Sequence, residues 1–386
     1  MIAVAAALAA SFSGQTPLKA VVLDMPASAR EPQVAVWSRI APVDPGGSDP
    51  TNVILKANTY VVCGTPDSVL VSISRDKAES FAAAKPIAKV GTLALGMRRG
   101  PRIAVLGESV IVTAIASEAA GARDADLLCW RSTDEGTSWS EAHRVNEAAG
   151  AAREGLHAMA SGPASDLFCA WIDLAQGSPR ICGSASLDAG ATWSPTRVVF
   201  GDSARICPCC HPSVAIDGTG RVHVMWRGVQ DGARDMWIAQ SEDHGATFSA
   251  PTKIGQGTWK LDACPMDGGG LASALGRTMT VWRRDAEIFQ AEASGTEVSL
   301  GRGEQPAIAL GAGGFCAVWV TKRGGALQFG WTGRSAPIQI ADGASEPAIA
   351  SSRLDHAPLV AVWETGSGEA TRIVAARLDR VQALGR

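Results

Sequence analysis

The chain has 386 residues, 46% of them apolar and 19% charged, with a formal net charge of −3. That balance describes a globular protein with a large core and room for two domains or one repetitive domain. Lys and Arg form no basic stripe, which excludes nucleic acid as an expected partner.

In chain order, the first feature is the apolar run MIAVAAALAASFSGQ at residues 1–15. It resembles the core of a secretory signal, although no Lys or Arg precedes it. Residues 1–25 are therefore expected to be a leader, and the protein periplasmic or secreted. At about ten apolar residues the run is too short to cross a bilayer, and no other segment comes close, so no membrane span is expected. Export permits disulfides, so the nine cysteines must be read both as thiols and as bridges.

From residue 100 a short phrase recurs: GPRIAV from Gly100, LHAMA from Leu156, HPSVA from His211, GGGLA from Gly268, QPAIA from Gln305 and EPAIA from Glu346. After most copies a second apolar segment ends in Trp, at Trp171, Trp226, Trp282, Trp319 and Trp363, spaced 55, 56, 37 and 44 residues apart. Turn residues such as DGTG (217–220) separate phrase from Trp, the signal for a hairpin. A third phrase follows in the longer units: STDEGTSWS (132–140), SLDAGATWS (186–194) and SEDHGATFS (241–249), with a degenerate copy, SRDKAESF, at 74–81. Here Asp134, Asp188 and Asp243 are expected to bond the backbone of a tight turn, Gly to supply a positive φ, and the aromatic to tuck beneath the sheet. These boxes read as framework.

Each unit offers about four short strands, and units of this length in series imply an all-β fold, a β-propeller of four-stranded blades. It is expected to span 26–386 as a single domain and to be a monomer. Units start at 100, 155, 211, 267, 305 and 346, and another covers 51–96. Seven blades is the preferred count; six is the alternative if the N-terminal segment completes the final blade. The last unit is short of an outer strand, which EPQVAVW at 31–37 is expected to supply.

The boxes resemble the Asp-boxes of the sialidase (BNR-repeat) superfamily, over residues 74–249. The phrases EGLHAMA, CCHPSVAIDGTGRVHVMWRG, RDMWIAQSEDHGATF and ACPMDGG also resemble a bacterial sialidase-like subfamily with a Cys-Pro-Cys-Cys-His motif. The resemblance implies the propeller but no activity, since non-enzymatic relatives carry the boxes too. Sialidase chemistry would imply three arginines clamping a carboxylate, a Tyr–Glu nucleophile pair and an Asp acid/base. RRGPRIA (98–104) resembles the arginine-bearing motif of such propellers, without the aromatic that precedes it. The one tyrosine, Tyr60, sits in what reads as a half-buried strand. A two-carboxylate glycosidase would instead pair Asp267 with Glu154 or Glu304.

The innermost strand of each propeller blade begins near the axis, so residues just ahead of the recurring phrase converge. That collects Arg99 and Arg102, Glu154 and His157, Cys210 and His211, Cys264 and Asp267, Glu304, and Glu346. Asp267, Glu154, Arg99 and Arg102 are the candidate catalytic groups. Arg234, Trp237, Trp259 and Glu304 are the candidate contacts for a small-molecule or glycan ligand.

Cys207, Cys209, Cys210 and His211 fall within five positions. With Cys264 and His157 they could hold copper or zinc. Alternatively Cys264 bridges Cys207 or Cys209 as a staple between blades, or the thiols are free or redox-active. On an extended chain Cys207 and Cys209 would point one way and Cys210 the other. Cys169 and Cys182 flank the turn AQGS (175–178) and are expected opposite one another, as packed thiols or a cross-strand disulfide. Cys63, Cys129, Cys316 and the repeated Trp residues read as core.

Three functions follow as alternatives. The first is an exported sialidase-like propeller that binds or hydrolyses a carbohydrate or carboxylated ligand at the channel mouth. The others are a copper or zinc protein built on the Cys/His cluster, and a scaffold whose cysteines are staples.

Overall fold

The computed structural model describes residues 18–41, 54–118, 124–293, 295–311, 313–333, 336–352 and 357–379. The leader-like run at 1–15 falls in residues 1–17, which lie outside them. The recurring phrases form the innermost strands, and the Trp-ending segments form the second strands against them. Four antiparallel four-stranded sheets result. The first contains Arg30–Ala41, Ile54–Thr65, Ser68–Ser74 and Lys85–Lys89. Three more begin at His157–Ser161, Ser213–Ile216 and Gly270–Ala274. A fifth sheet begins at Arg102–Leu106 and gains Thr92–Leu93 at the far end of Ser109–Ser117.

The remaining sheet has seven strands and divides physically into two groups of four. Its strand Ile338–Ala350 pairs with Gly325–Trp331 through its first half and with Val360–Thr365 through its second, across a register shift between Ser345 and Ala348. It is thus the outermost strand of one blade and the innermost strand of the next. The innermost segments 34–36, 103–105, 159–161, 214–216, 271–274, 308–310 and 349–352 line one axial cavity of about 290 Å³. Each packs on its neighbour, and Ile338–Ala350 packs back on Arg30–Ala41, which closes the ring.

Closure corrects one expectation. Residues 31–37 lie in Arg30–Ala41, the innermost strand of the first blade, and the outer strand of the last blade is Ala20–Val22 on Arg372–Arg377. The alternation of EPQVAVW fits an inner strand equally well, and nothing in the shorter Ala20–Val22 marks it in advance.

The Trp residues are core: Trp171, Trp226, Trp282, Trp319 and Trp363 are each 3% exposed or less. Cys63, Cys129 and Cys316 are also buried. The hairpin at 167–186 is centred on AQGS (175–178), but Cys169 and Cys182 do not lie symmetrically about it. Trp171 faces Cys182 and Cys169 faces Ser184, so the two cysteines are not opposed, and both are free thiols.

The box turns join the third and fourth strands of their blades. In each, the Asp carboxylate accepts from the preceding Ser hydroxyl and from amides and hydroxyls further on; for Asp243 the partners are Ser241 at 2.7 Å and Thr247 at 2.9 and 2.6 Å. The degenerate copy closes the same way around Asp76. Gly245 takes φ +88°, and a Cβ there would lie 2.2 Å from the Phe168 ring of the neighbouring blade, so the turn requires glycine twice over.

Candidate metal centre

The loop between Arg197–Phe200 and Ser213–Ile216 crosses the face of the propeller where the inner strands begin. A short 3₁₀ turn, Ser203–Arg205, leads into it, and a bridge from Ile206 to Gly228 fixes it to its own blade. The Cys207 amide then donates to the Arg227 carbonyl at 3.0 Å. From there the chain turns through Pro208, Cys209 and Cys210.

That turn overturns the extended-chain expectation for the cysteine side chains. Cys210 swings round to join the other two: Cys207 Sγ lies 3.3 Å from Cys209 Sγ and 3.7 Å from Cys210 Sγ. The three sulfurs lie within 4.8 Å of one another, and among the described residues no other Cys, His, Asp or Glu ligand atom joins such a group. Cys207 and Cys210 are 1% exposed, and Cys209 is half-buried. Cys207 is the sulfur that ionises first. The Cys209 and Cys210 thiols donate to it and the Arg234 guanidinium reaches it at 3.6 Å, which holds its pKa far below the ordinary thiol value. Burial, with the donor role toward Cys207, pushes Cys210 up to about 12. The donor role pushes Cys209 up as well.

Arg227, itself 1% exposed, is the frame of this loop. It donates to the carbonyls of Asp267 (2.9 Å), Arg234 (2.6 Å) and Arg283 (2.9 Å), tying three segments from two blades behind the cysteines. Its guanidinium lies over the Trp259 ring at 5.2 Å, and Arg283 lies over the same ring at 5.5 Å. The Trp259 carbonyl accepts from the Arg234 amide at 2.8 Å. Trp259 therefore lies beneath arginines rather than open to solvent. Trp237 is likewise covered, by Arg205 at 5.1 Å. Cys264 is exposed, is a free thiol and stands outside the trio.

The two histidines belong to the axis instead. His211 Nε2 meets the Gly269 carbonyl at 3.0 Å, and His157 Nε2 meets Thr113 Oγ1 at 3.1 Å while its Nδ1 has no partner. Burial first, and the Arg98 and Arg102 cations next, hold His211 neutral; burial and Arg102 do the same for His157. Gly268 packs so tightly there that a Cβ would lie 1.9 Å from the His211 carbonyl oxygen.

Around the same axis the residues ahead of the inner strands bond to one another. Gln305 donates its amide N–H to Asp267 Oδ2 (2.7 Å) and its side chain to Glu346 Oε1 (2.6 Å). Glu346 returns its amide N–H to Gln305 Oε1 at 3.0 Å. Arg98 donates to the carbonyls of Pro347 and Pro306 at 3.0 and 3.2 Å. The Glu31 amide donates to Glu364 at 2.7 Å, and burial with the nearby Glu346 and Glu364 charges raises the Glu31 pKa.

Of the candidate catalytic groups, Asp267 is 2% exposed and held by Gln305. Arg102 donates to the backbone carbonyls of residues 98–101. Arg99 donates to the Glu154 carbonyl at 2.8 Å. Glu304 pairs with Arg283 at 3.0 Å. Tyr60 is 1% exposed and packed in the core. The sequence reading missed Arg227, Glu31 and Gln305. Glu31 and Gln305 carried a signal, since both precede Pro in copies of the same phrase as His211 and Glu346. Arg227 carried none beyond its place one residue after the Trp.

Residues 103–256 match the BNR repeat-like domain family. No curated protein sequence matches the chain. Among solved structures the chain is similar to a Penicillium chrysogenum α-L-arabinanase complexed with arabinobiose, at TM-score 0.52 and 11% identity over 95% of this chain and 99% of that one. It is similar to a Fusarium graminearum α-L-arabinofuranosidase in complex with an iminosugar inhibitor, at TM-score 0.52 and 12% identity over 93% and 96%. A Dyadobacter fermentans protein of unknown function gives TM-score 0.51 and 16% identity over 95% and 99%. The repeat match and the closed ring of sheets agree: residues 103–256 carry a BNR repeat-like domain, within a chain folded as a β-propeller.

Proposed function

We propose that this protein is a metal–thiolate propeller, exported and monomeric, that binds a thiophilic copper- or zinc-class ion through Cys207, Cys209 and Cys210. The observation that carries the reading is the convergence of three sulfurs at 3.3 and 3.7 Å on a loop pinned by Arg227. Metal–sulfur bonds of about 2.3 Å place the sulfurs of one ion about 3.8–4 Å apart, so small adjustments of the loop suffice. The donor set fits a soft ion, and Arg234 favours the thiolate form that binding needs. Held at one ion, these residues would orient it on the propeller face and shield it on the Cys207 and Cys210 side. The test is elemental analysis of protein purified without chelators. One transition-metal ion per chain, lost in Cys207→Ser and Cys210→Ser, supports the reading; metal-free protein that takes up none on addition overturns it.

A second reading, a saccharide ligand on the same face, is supported by the fold shared with an arabinanase complexed with arabinobiose. Glu154 and Glu304, half-buried at the blade entrances, are its acidic candidates. Asp267 and Arg102 suit it less, since their polar atoms are committed to the backbone. Isothermal titration with arabinobiose and sialic acid, with a panel of chromogenic glycosides, tests it: no heat and no hydrolysis would remove it.

A further inference from the structure

We infer that the Cys207–Cys209–Cys210 site is built for a monovalent d¹⁰ ion, copper(I), in three-coordinate sulfur geometry rather than for zinc(II). The inference rests on the metal–thiolate reading and narrows it.

Coordination number is the first argument. Structural zinc sites take four protein ligands, and catalytic ones take three and hold water at the fourth position. Here the group of convergent ligand atoms stops at three among the described residues. His211 and His157, which could have supplied an imidazole, spend Nε2 on Gly269 and Thr113. Cys264, the soft donor that the next blade carries, is exposed and outside the group. An all-sulfur set without nitrogen or oxygen selects soft ions, and copper(I) accepts three sulfurs without requiring a fourth ligand.

Charge is the second argument. Three thiolates around a monovalent ion leave a net charge of minus two; around a divalent ion they leave minus one. Two guanidiniums flank the site. Arg234 Nη1 reaches Cys207 Sγ at 3.6 Å, and Arg227 lies within electrostatic reach of Cys210 while donating to the Arg234 carbonyl. Two buried or half-buried cations balance the copper(I) complex and over-compensate the zinc complex. In a site this enclosed an unbalanced charge is costly.

Exposure is the third argument. Cys207 and Cys210 are sealed, and Cys209 alone is partly open to solvent. An incoming ion carried by another thiolate or thioether ligand can therefore meet Cys209 first and pass inward by exchange of sulfur ligands, with no change in oxidation state.

The test uses the full-length, reduced, metal-free chain under nitrogen. Copper(I) is supplied from a chromophoric copper(I) chelator and zinc(II) from a chromophoric zinc chelator, each in separate titrations and then in competition. The expected result is one copper(I) withdrawn per chain, with zinc(II) bound at least 100-fold more weakly. Arg234→Gln is expected to weaken copper(I) by about tenfold while leaving the zinc affinity changed by less, because one balancing charge is lost. One-to-one zinc(II) binding that matches or exceeds copper(I) overturns this inference and leaves the metal–thiolate reading standing. Failure of both ions to bind overturns both. Circular dichroism of Arg234→Gln and of Cys209→Ser checks that each variant is folded, and Cys209→Ser alone must lose copper(I) if three sulfurs are needed.

Discussion

Replacing Arg227 by Lys isolates what the buried guanidinium does, because it keeps the charge and removes the fork. The native side chain satisfies three carbonyls, of Asp267, Arg234 and Arg283, and covers one face of Trp259. A lysine ammonium in the same space reaches one of them. Two buried carbonyls then lose their partner at about 1–3 kcal/mol each, and the loss of the indole contact adds about 0.5–2 kcal/mol. Because neighbouring terms are not additive and the loop relaxes, the expected total is about 3–5 kcal/mol. Urea unfolding followed by tryptophan fluorescence reads it directly, with the slope unchanged and the midpoint lowered. Thiol accessibility gives a second readout: Cys207 and Cys210, sealed in the native chain, should react with a thiol reagent faster in Arg227→Lys. A variant within about 0.5 kcal/mol of the native protein, with the same thiol reactivity, would refute the claim that Arg227 frames the cysteine loop.

Other outcomes follow from the same contacts. Gly268→Ala places a methyl against the fixed His211 carbonyl and should cost about 2–3 kcal/mol in the same urea assay, whereas Gly218→Ala, in open space without a positive φ, should cost far less. Asp188→Ala removes the acceptor of the Ser186 hydroxyl and of the Thr192 amide and hydroxyl; at this exposed site the loss should be about 1 kcal/mol, seen as a small fall in Tm. His157 is held neutral by burial and by Arg102, so its folded pKa lies below the unfolded value near 6.5; the unfolded chain gains a proton that the folded chain refuses, and stability should decline as pH falls through about 6.5. Comparing His157→Gln with the native chain at pH 7.5 and 5.5 checks the sign: the variant should show the smaller decline, and an equal or larger one would contradict it.

How far the residues announced this arrangement varies with the range of the interaction concerned. The blades were legible because they repeat local rules: an inner strand, a turn and a second apolar strand, joined in the longer units by a Ser-x-Asp turn whose bonds close within a few residues. The outer strand of the last blade was not, because Ala20–Val22 pairs with Arg372–Arg377 across the whole chain and carries no pattern of its own. The hairpin did centre on AQGS, but Cys169 lies six residues before that turn and Cys182 four after it, so the two cysteines miss each other by two positions. The cysteine cluster was visible as composition, but not its shape. Whether Cys210 joins or opposes Cys207 depends on the turn at Pro208–Cys210, and that turn is held by Arg227, whose three partners lie 7 to 56 residues away. Of the axial group, Asp267 and Glu346 were collected by position, whereas Gln305 and Arg98 were passed over for their chain neighbours Glu304 and Arg99. Its bonding, side chain to backbone and between neighbouring blades, appears only once the ring is closed.

X-ray absorption on the protein as purified, at the edge of whatever transition metal it carries, tests the central claim most directly. The account predicts a first shell of sulfur alone, abolished as a sulfur shell in Cys207→Ser and Cys210→Ser. A first shell of nitrogen and oxygen, or a sulfur shell unchanged in those variants, would contradict it.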